Sequence, residues 1–80
     1  MAKVVFSSEL QRLTGEPETA VTGARFIDIV AELVEKYPKL EEDQLMAMAV
    51  SIDGEIIHQP YLETVAPGSE VHLLYRISGG

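Results

Sequence analysis

Cysteine is absent from all 80 residues. That excludes disulfides, thiolate metal sites, iron–sulfur clusters and a cysteine nucleophile. Cations are scarce: six Lys and Arg against thirteen Asp and Glu leave a formal charge of −7. A phosphate-backbone binder needs clustered cations, so nucleic acid is excluded as a partner, whereas docking on a basic protein fits the balance. No apolar run approaches the about 20 residues that span a bilayer. Met1-Ala2-Lys3 leads into a strand-like run rather than an apolar signal segment. The expectation is a cytoplasmic, soluble protein with no membrane association. Repeats, linkers and low-complexity stretches are missing too, and a chain of this length has room for one core.

Catalytic constellations are equally sparse. His58 and His72 stand alone, without the carboxylate or cysteine spacing of a metal site. Ser7, Ser8, Ser51 and Ser69 include no Gly-x-Ser-x-Gly, so a nucleophilic hydrolase has no support. Glu41-Glu42-Asp43 reads first as a solvated loop. No metal and no bound cofactor are expected.

What is present is a regular alternation of strands, turns and one helix. Lys3–Ser7 is β-rich and predicts a first strand. Ser7 or Ser8 can cap a helical turn through residues 9–13, in which Leu10 and Leu13 share a face. Thr14-Gly15-Glu16-Pro17 is turn chemistry, and Glu18–Thr22 predicts a second strand that closes a hairpin with a wide connection. Between Phe26 and Tyr37, apolar side chains recur at Phe26, Ile27, Val30, Leu33, Val34 and Tyr37, a stripe at helical period. Asp28, Glu32, Glu35 and Lys36 take the other side, and Pro38 ends the helix. Residues 40–45 admit a turn of helix. Met46–Ile52 alternates as a strand, with Met46, Met48, Val50 and Ile52 on one face. Asp53-Gly54 is a hairpin turn, Glu55–His58 is the returning strand, and Pro60 keeps that strand from extending. Leu62–Val65 admits a single helical turn. Ala66-Pro67-Gly68-Ser69 suits a type II turn. The last strand follows, with Val71, Leu73, Tyr75 and Ile77 inward and His72, Leu74, Arg76 and Ser78 outward. The fold class is therefore α+β: a mixed sheet of about four to five strands, order β–β–α–β–β–β, with one long helix packed on one face. The other face is uncovered, and Leu74 and Ile57 are candidates for a partner-binding patch on it.

The chain ends in Gly79-Gly80. With Gly at about 7% of residues, such a pair should close only roughly 0.5% of chains by chance. Two residues without side chains make a thin, flexible stalk that carries a bare carboxylate. Residues 1–78 would then be the folded domain and 79–80 its arm.

The first strand Lys3-Val4-Val5-Phe6, the Leu13-Thr14-Gly15 step, the single amphipathic helix, and Pro67-Gly68-Ser69-Glu70-Val71 leading to Ile77-Ser78-Gly79-Gly80 resemble, over essentially the whole chain, the β-grasp sulfur carriers. These are the small subunit of molybdopterin synthase and the thiamine sulfur carrier. The resemblance implies a β-grasp (ubiquitin-like) fold. It also implies that an ATP-dependent adenylating enzyme joins the Gly80 carboxylate to AMP, after which a sulfur nucleophile converts it to a thiocarboxylate. ATP would be used by that partner and not held by this chain. The sulfur would pass to the large subunit of molybdopterin synthase or to thiazole synthase, this chain acting as a carrier or as a synthase's small subunit with no active site of its own. Gly79 would supply the slender arm, while Leu74, Arg76, Ile57 and Ser78 would touch partners. Arg76 so near the terminal pair is also similar to ubiquitin-like modifiers, which implies the alternative of conjugation through Gly80 to a lysine.

Overall fold

Ser7 begins the ordering of the chain. In the computed structural model, which describes residues 1–74, its backbone is extended and its hydroxyl accepts from the Leu10 N–H at 3.4 Å. A serine at this point satisfies a donor that the first turn of a helix leaves without a partner. The helix it caps, α1 (Ser8–Thr14), stops at Gly15, whose φ of 75° is the left-handed conformation that glycine adopts without strain. Before it lies strand β1 (Ala2–Val5) and after it β2 (Glu18–Val21), antiparallel to β1, with Val4 opposite Thr19 and Ala2 opposite Val21. The expected hairpin with a wide connection is present.

The long helix α2 (Phe26–Lys36) ends at Tyr37, ahead of Pro38. Its buried stripe is Phe26, Ile29, Val30 and Leu33, with Val34 partly buried. Periodicity misplaced one member: Ile27 is exposed and Ile29 takes its place. Residues 26, 29, 30 and 33 follow the i, i+3, i+4, i+7 rule, whereas 27 leads off that arc. A short helix α3 (Glu42–Met46) follows and buries Leu45. Because α3 runs through Met46, the next strand, β3 (Ala49–Ile52), starts three residues later than the alternation suggested.

Asp53 and Gly54 both have positive φ, 51° and 87°, the signature of a two-residue type I′ hairpin turn whose twist matches that of the flanking strands. They join β3 to β4 (Glu55–Ile57). The segment after Pro60 is not a helical turn. Its carbonyls instead cap α2: Phe26 N–H donates to Glu63 O and Ile27 N–H to Tyr61 O, both at 3.0 Å, and Thr64 bridges Arg25. The first N–H groups of α2 have no side-chain cap, so this loop satisfies them. Gly68 (φ 86°) makes the expected turn, with Ser69 N–H on Ala66 O at 3.0 Å, and β5 (Glu70–Leu74) enters the middle of the sheet.

Among the described residues the sheet has five strands in the order β2-β1-β5-β3-β4. β1 and β5 are parallel; every other neighbouring pair is antiparallel. The helices and loops cover one face, against which Val4, Val21, Val50, Val71 and Leu73 are essentially fully buried with Phe26, Ile29 and Leu33. Polar groups on this side are matched. The buried Thr19 hydroxyl accepts from Lys36, the Tyr37 hydroxyl donates to Glu16, and the Phe6 and Tyr37 rings meet edge-on with centroids 5.6 Å apart. The readings of Tyr75 and Ile77 as inward and of Arg76 and Ser78 as outward, and the division at residue 78, lie outside the described residues.

Candidate functional site

β5 determines where any site can be. It lies between β1 and β3, and its last described residue, Leu74, stands opposite Ala49 on the face that no described element covers. Strand alternation puts His72 and Glu70 on that same face. Cross-strand pairing completes the set: Ser51 lies opposite His72 and Ile56 opposite Ser51, while on the other side His72 lies opposite Val5 and Glu70 opposite Lys3. The Lys3 partner on β2 is Ala20 and the Val5 partner is Glu18.

This open face is divided. Toward β3 and β4 it is apolar and small: Leu74 is 37% exposed, Ile56 57%, and Ser51, Gly54, Ile56, His72 and Leu74 line a shallow depression of about 280 Å³. Toward β1 and β2 it is ionic. Lys3 Nζ lies 3.5 Å from Glu18 and 4.0 Å from Glu70, and His72 Nε2 lies 2.7 Å from the other oxygen of Glu70. These pairs are roughly half exposed, a setting in which ion pairs add little stability.

The entry of β5 is clamped by Asp53. Its carboxylate accepts from the Glu70 N–H at 2.9 Å and the Ser69 hydroxyl at 2.8 Å, while the Asp53 N–H donates back to Glu70 O at 2.9 Å. The Glu70 amide, and after it the Ser69 hydroxyl, favour the charged form and hold the Asp53 carboxyl below the ordinary aspartate range. Asp53 is thus a turn residue that also pins the β3–β4 hairpin to the strand leading out to the carboxy terminus.

Of the residues singled out from the sequence, Leu74 lies on the open face as expected. Ile57 does not join it. It pairs with Val50 on the opposite face, half-buried against the core, and the apolar side chain that neighbours the Leu74 region is Ile56. The sequence held the signal. A two-residue turn at 53–54 sets 52 opposite 55, 51 opposite 56 and 50 opposite 57, so Ile57 had to share the inward face of Val50. Glu70 and His72 are two residues apart on β5 and share a face by alternation, but Lys3 joins them only across the β1–β5 pairing, which no local signal announces. Arg76, Ser78, Gly79 and Gly80 lie outside the described residues. Among those described, no three His, Cys, Asp or Glu side chains converge to hold a metal ion, and no helix is long and apolar enough to cross a membrane.

No family model and no curated protein matches the sequence. Solved structures do match in fold. The solution structure of small archaeal modifier protein 1 from Methanosarcina acetivorans superposes with a TM-score of 0.81 at 23% identity, covering 99% of this chain and 95% of that one. A chain of the BexX/CysO complex of Amycolatopsis orientalis matches with a TM-score of 0.79 at 18% identity over all of both chains. A protein of Pyrococcus furiosus assigned as molybdopterin converting factor subunit 1 matches with a TM-score of 0.71 at 19% identity, covering 95% of this chain and 97% of that one. The expected fold is therefore the observed one: the chain is a β-grasp domain.

Proposed function

We propose that this protein is a sulfur carrier whose reacting group is the carboxylate of Gly80. The observation that carries the reading is the joining of two features. A β-grasp domain similar to modifier and converting-factor proteins has a central strand that leads within six residues to Gly79-Gly80. A free carboxylate cannot be attacked usefully, because its leaving group would be oxide. An ATP-dependent adenylating enzyme supplies a better one: a Gly80 oxygen attacks the α-phosphorus of ATP and pyrophosphate leaves. A hydrosulfide ion then attacks the acyl carbon, the bond to AMP breaks, AMP leaves, and the thioacid formed gives up its proton as a thiocarboxylate. Glycine at 79 and 80 lets the chain enter a narrow channel without side-chain width or φ/ψ restriction. An enclosed channel on the partner also keeps water from the acyl adenylate.

The pathway we propose is molybdopterin synthesis in the cytoplasm, with the large synthase subunit as acceptor, in keeping with the similarity to a converting-factor subunit. Catalysis belongs to the partners, which also bind the ATP. Leu74, at the end of β5, and Arg76 and Ser78, which precede the glycine pair in the sequence, are proposed to contact those partners. Ile57, held in the core side, is withdrawn from that set in favour of Ile56. A second reading, conjugation of Gly80 to a lysine amine, is favoured by the similarity to a small archaeal modifier protein.

Intact mass spectrometry separates these readings. After incubation with an adenylating enzyme that converts a known carrier, ATP and a sulfur donor, carrier function predicts a mass gain equal to one oxygen-for-sulfur exchange. That gain should be absent when residues 79–80 are deleted. High-mass covalent adducts that survive thiol reduction would indicate the modifier instead. An unchanged mass would refute both.

A further inference from the structure

The chain has no asparagine, and of its three aspartates only Asp53 is followed by glycine. Asp-Gly is the aspartyl pair whose backbone rearranges most readily, because no Cβ on the glycine shields its nitrogen from the aspartyl side chain. The rearrangement needs no partner protein. The Gly54 nitrogen attacks Cγ of the protonated Asp53 carboxyl and forms a new N–Cγ bond. The proton on that nitrogen and the carboxyl hydroxyl leave as water, and a cyclic succinimide closes. Water then adds at either ring carbonyl. Addition at Cγ restores aspartate. Addition at the Asp53 main-chain carbonyl breaks its bond to nitrogen and leaves isoaspartate, with the main chain routed through Cβ and Cγ and a free α-carboxylate in the turn. From aspartate to isoaspartate the chain neither gains nor loses atoms, and no oxidant or reductant takes part.

In the folded domain both Asp53 oxygens are engaged. One accepts from the Glu70 N–H at 2.9 Å and the other from the Ser69 hydroxyl at 2.8 Å, and Ser69 is buried. These donors lie sixteen and seventeen positions further along the chain, at the entry to β5, so Cγ is fixed by a strand outside the turn. They also favour the ionised carboxylate, whereas ring closure needs the neutral acid. Water has free access, since Asp53 and Gly54 are exposed. We propose that Asp53-Gly54 is a modification site, where isoaspartate forms once the entry of β5 releases the Asp53 carboxyl and is suppressed while Ser69 and Glu70 hold it. The product records that release. Isoaspartate adds one carbon to the main chain of a two-residue turn whose positive φ angles, 51° and 87°, set Ile52 opposite Glu55. The lengthened turn no longer matches that register, and the carboxylate left on Cα is one carbon shorter than the group that Ser69 and Glu70 hold. The strand that leads to the carboxy terminus is then without its clamp. That α-carboxylate is the group an S-adenosylmethionine-dependent isoaspartate methyltransferase esterifies, so the modified chain is a substrate for an enzyme of that class.

Ageing of the full chain in mildly acidic buffer tests this. Isoaspartate is followed by enzymatic methyl transfer from labelled S-adenosylmethionine, and its position by chromatography of the tryptic fragment that contains residues 53–54. In urea, where the clamp is absent, the chain should accumulate isoaspartate at least about tenfold faster than the folded chain, as loss of hydrogen bonds to a charged group implies. Ser69→Ala, with its fold checked by circular dichroism, should accumulate it several-fold faster than the parent because one of the two donors is gone. Gly23→Ala, which strains the packed side without touching the clamp, should age at the rate of the parent. Equal rates in urea and in native buffer would overturn the proposal, as would a Ser69→Ala rate equal to that of the parent. Gly23→Ala ageing as fast as Ser69→Ala would also overturn it, since the protection would then belong to the whole fold. So would a fragment around Asp53 that stays free of isoaspartate even in urea.

Discussion

One sheet carries two faces built from alternate residues of the same strands, and they differ in nearly every physical respect. On the inner face Val4, Val50, Val71 and Leu73 are almost completely removed from water. On the outer face their immediate neighbours Lys3, Ser51, His72 and Leu74 remain partly or wholly exposed. The inner residues are joined to α2 by close packing, and burial of each such side chain contributes about 1.5–3 kcal/mol. The outer residues form half-exposed ion pairs and an apolar strip that contribute little to folding. A domain this small cannot spare apolar area from its core. An Ile and a Leu left exposed on the same open face, one on either side of β3, are thus not accounted for by folding. Stability and recognition are divided at single-residue spacing, and substitutions in adjacent positions should fall on opposite sides of the division.

The largest contrast should appear within β5. Leu73→Ala empties a fully buried site and should cost about 2–5 kcal/mol, whereas Leu74→Ala, one residue on, should lie within about 0.5 kcal/mol of the parent. Urea denaturation of the two variants measures both; similar losses would erase the distinction between the faces.

A smaller loss is expected at Gly23, at the edge of the packed side. A Cβ there would lie 2.9 Å from both Asp28 Cβ and the Ile29 backbone nitrogen, so Gly23→Ala should cost about 1–3 kcal/mol as overpacking does. A thermal melt of Gly23→Ala that overlays the parent would show that α2 is free to shift away from the sheet.

Asp53 links the two faces at the start of β5, and its effect should be visible only in acid. Its folded carboxyl titrates below the ordinary value of about 3.9, so the unfolded chain takes up the proton first as pH falls. Its stabilisation is present above about pH 4 and is lost as pH drops below that value toward the folded one. Relative to Asp53→Asn, the parent should therefore lose stability more steeply between neutral pH and pH 3. Parallel pH profiles would remove Asp53 as the clamp.

The smallest effect on folding is expected at Ile56→Asp, within about 0.5 kcal/mol because the side chain is already solvated. The same variant should weaken partner docking strongly. A marked drop in its unfolding midpoint would mean that Ile56 belongs to the core.

Much of this division was legible before any coordinates. Helical period located α2 almost to the residue, because an amphipathic stripe between a turn and Pro38 has few other solutions. Ser7, Gly15, Asp53-Gly54 and Pro67-Gly68 marked their caps and turns, since each position demands a backbone state or hydrogen bond that few residue types provide. Three errors had a common origin. Ile27 was placed on the buried stripe, Met46 in a strand, and residues 62–65 were left open to a helical turn, because short apolar stretches satisfy more than one local pattern and only packing chooses among them. The placement of Ile57 was different, because turn register already contradicted it.

By itself the sequence determined the fold class, the order of elements, the absence of thiolate chemistry and the glycine pair at Gly79-Gly80, because these follow from composition, period and turn chemistry acting over a few residues. Tertiary structure alone decided that β5 lies between β1 and β3 and that Lys3 and Glu18 meet Glu70 and His72 in one cluster. Those facts depend on which strands pair and in what register. Pairing joins residues some seventy positions apart through backbone hydrogen bonds that look the same for every side chain, so no local pattern announces them.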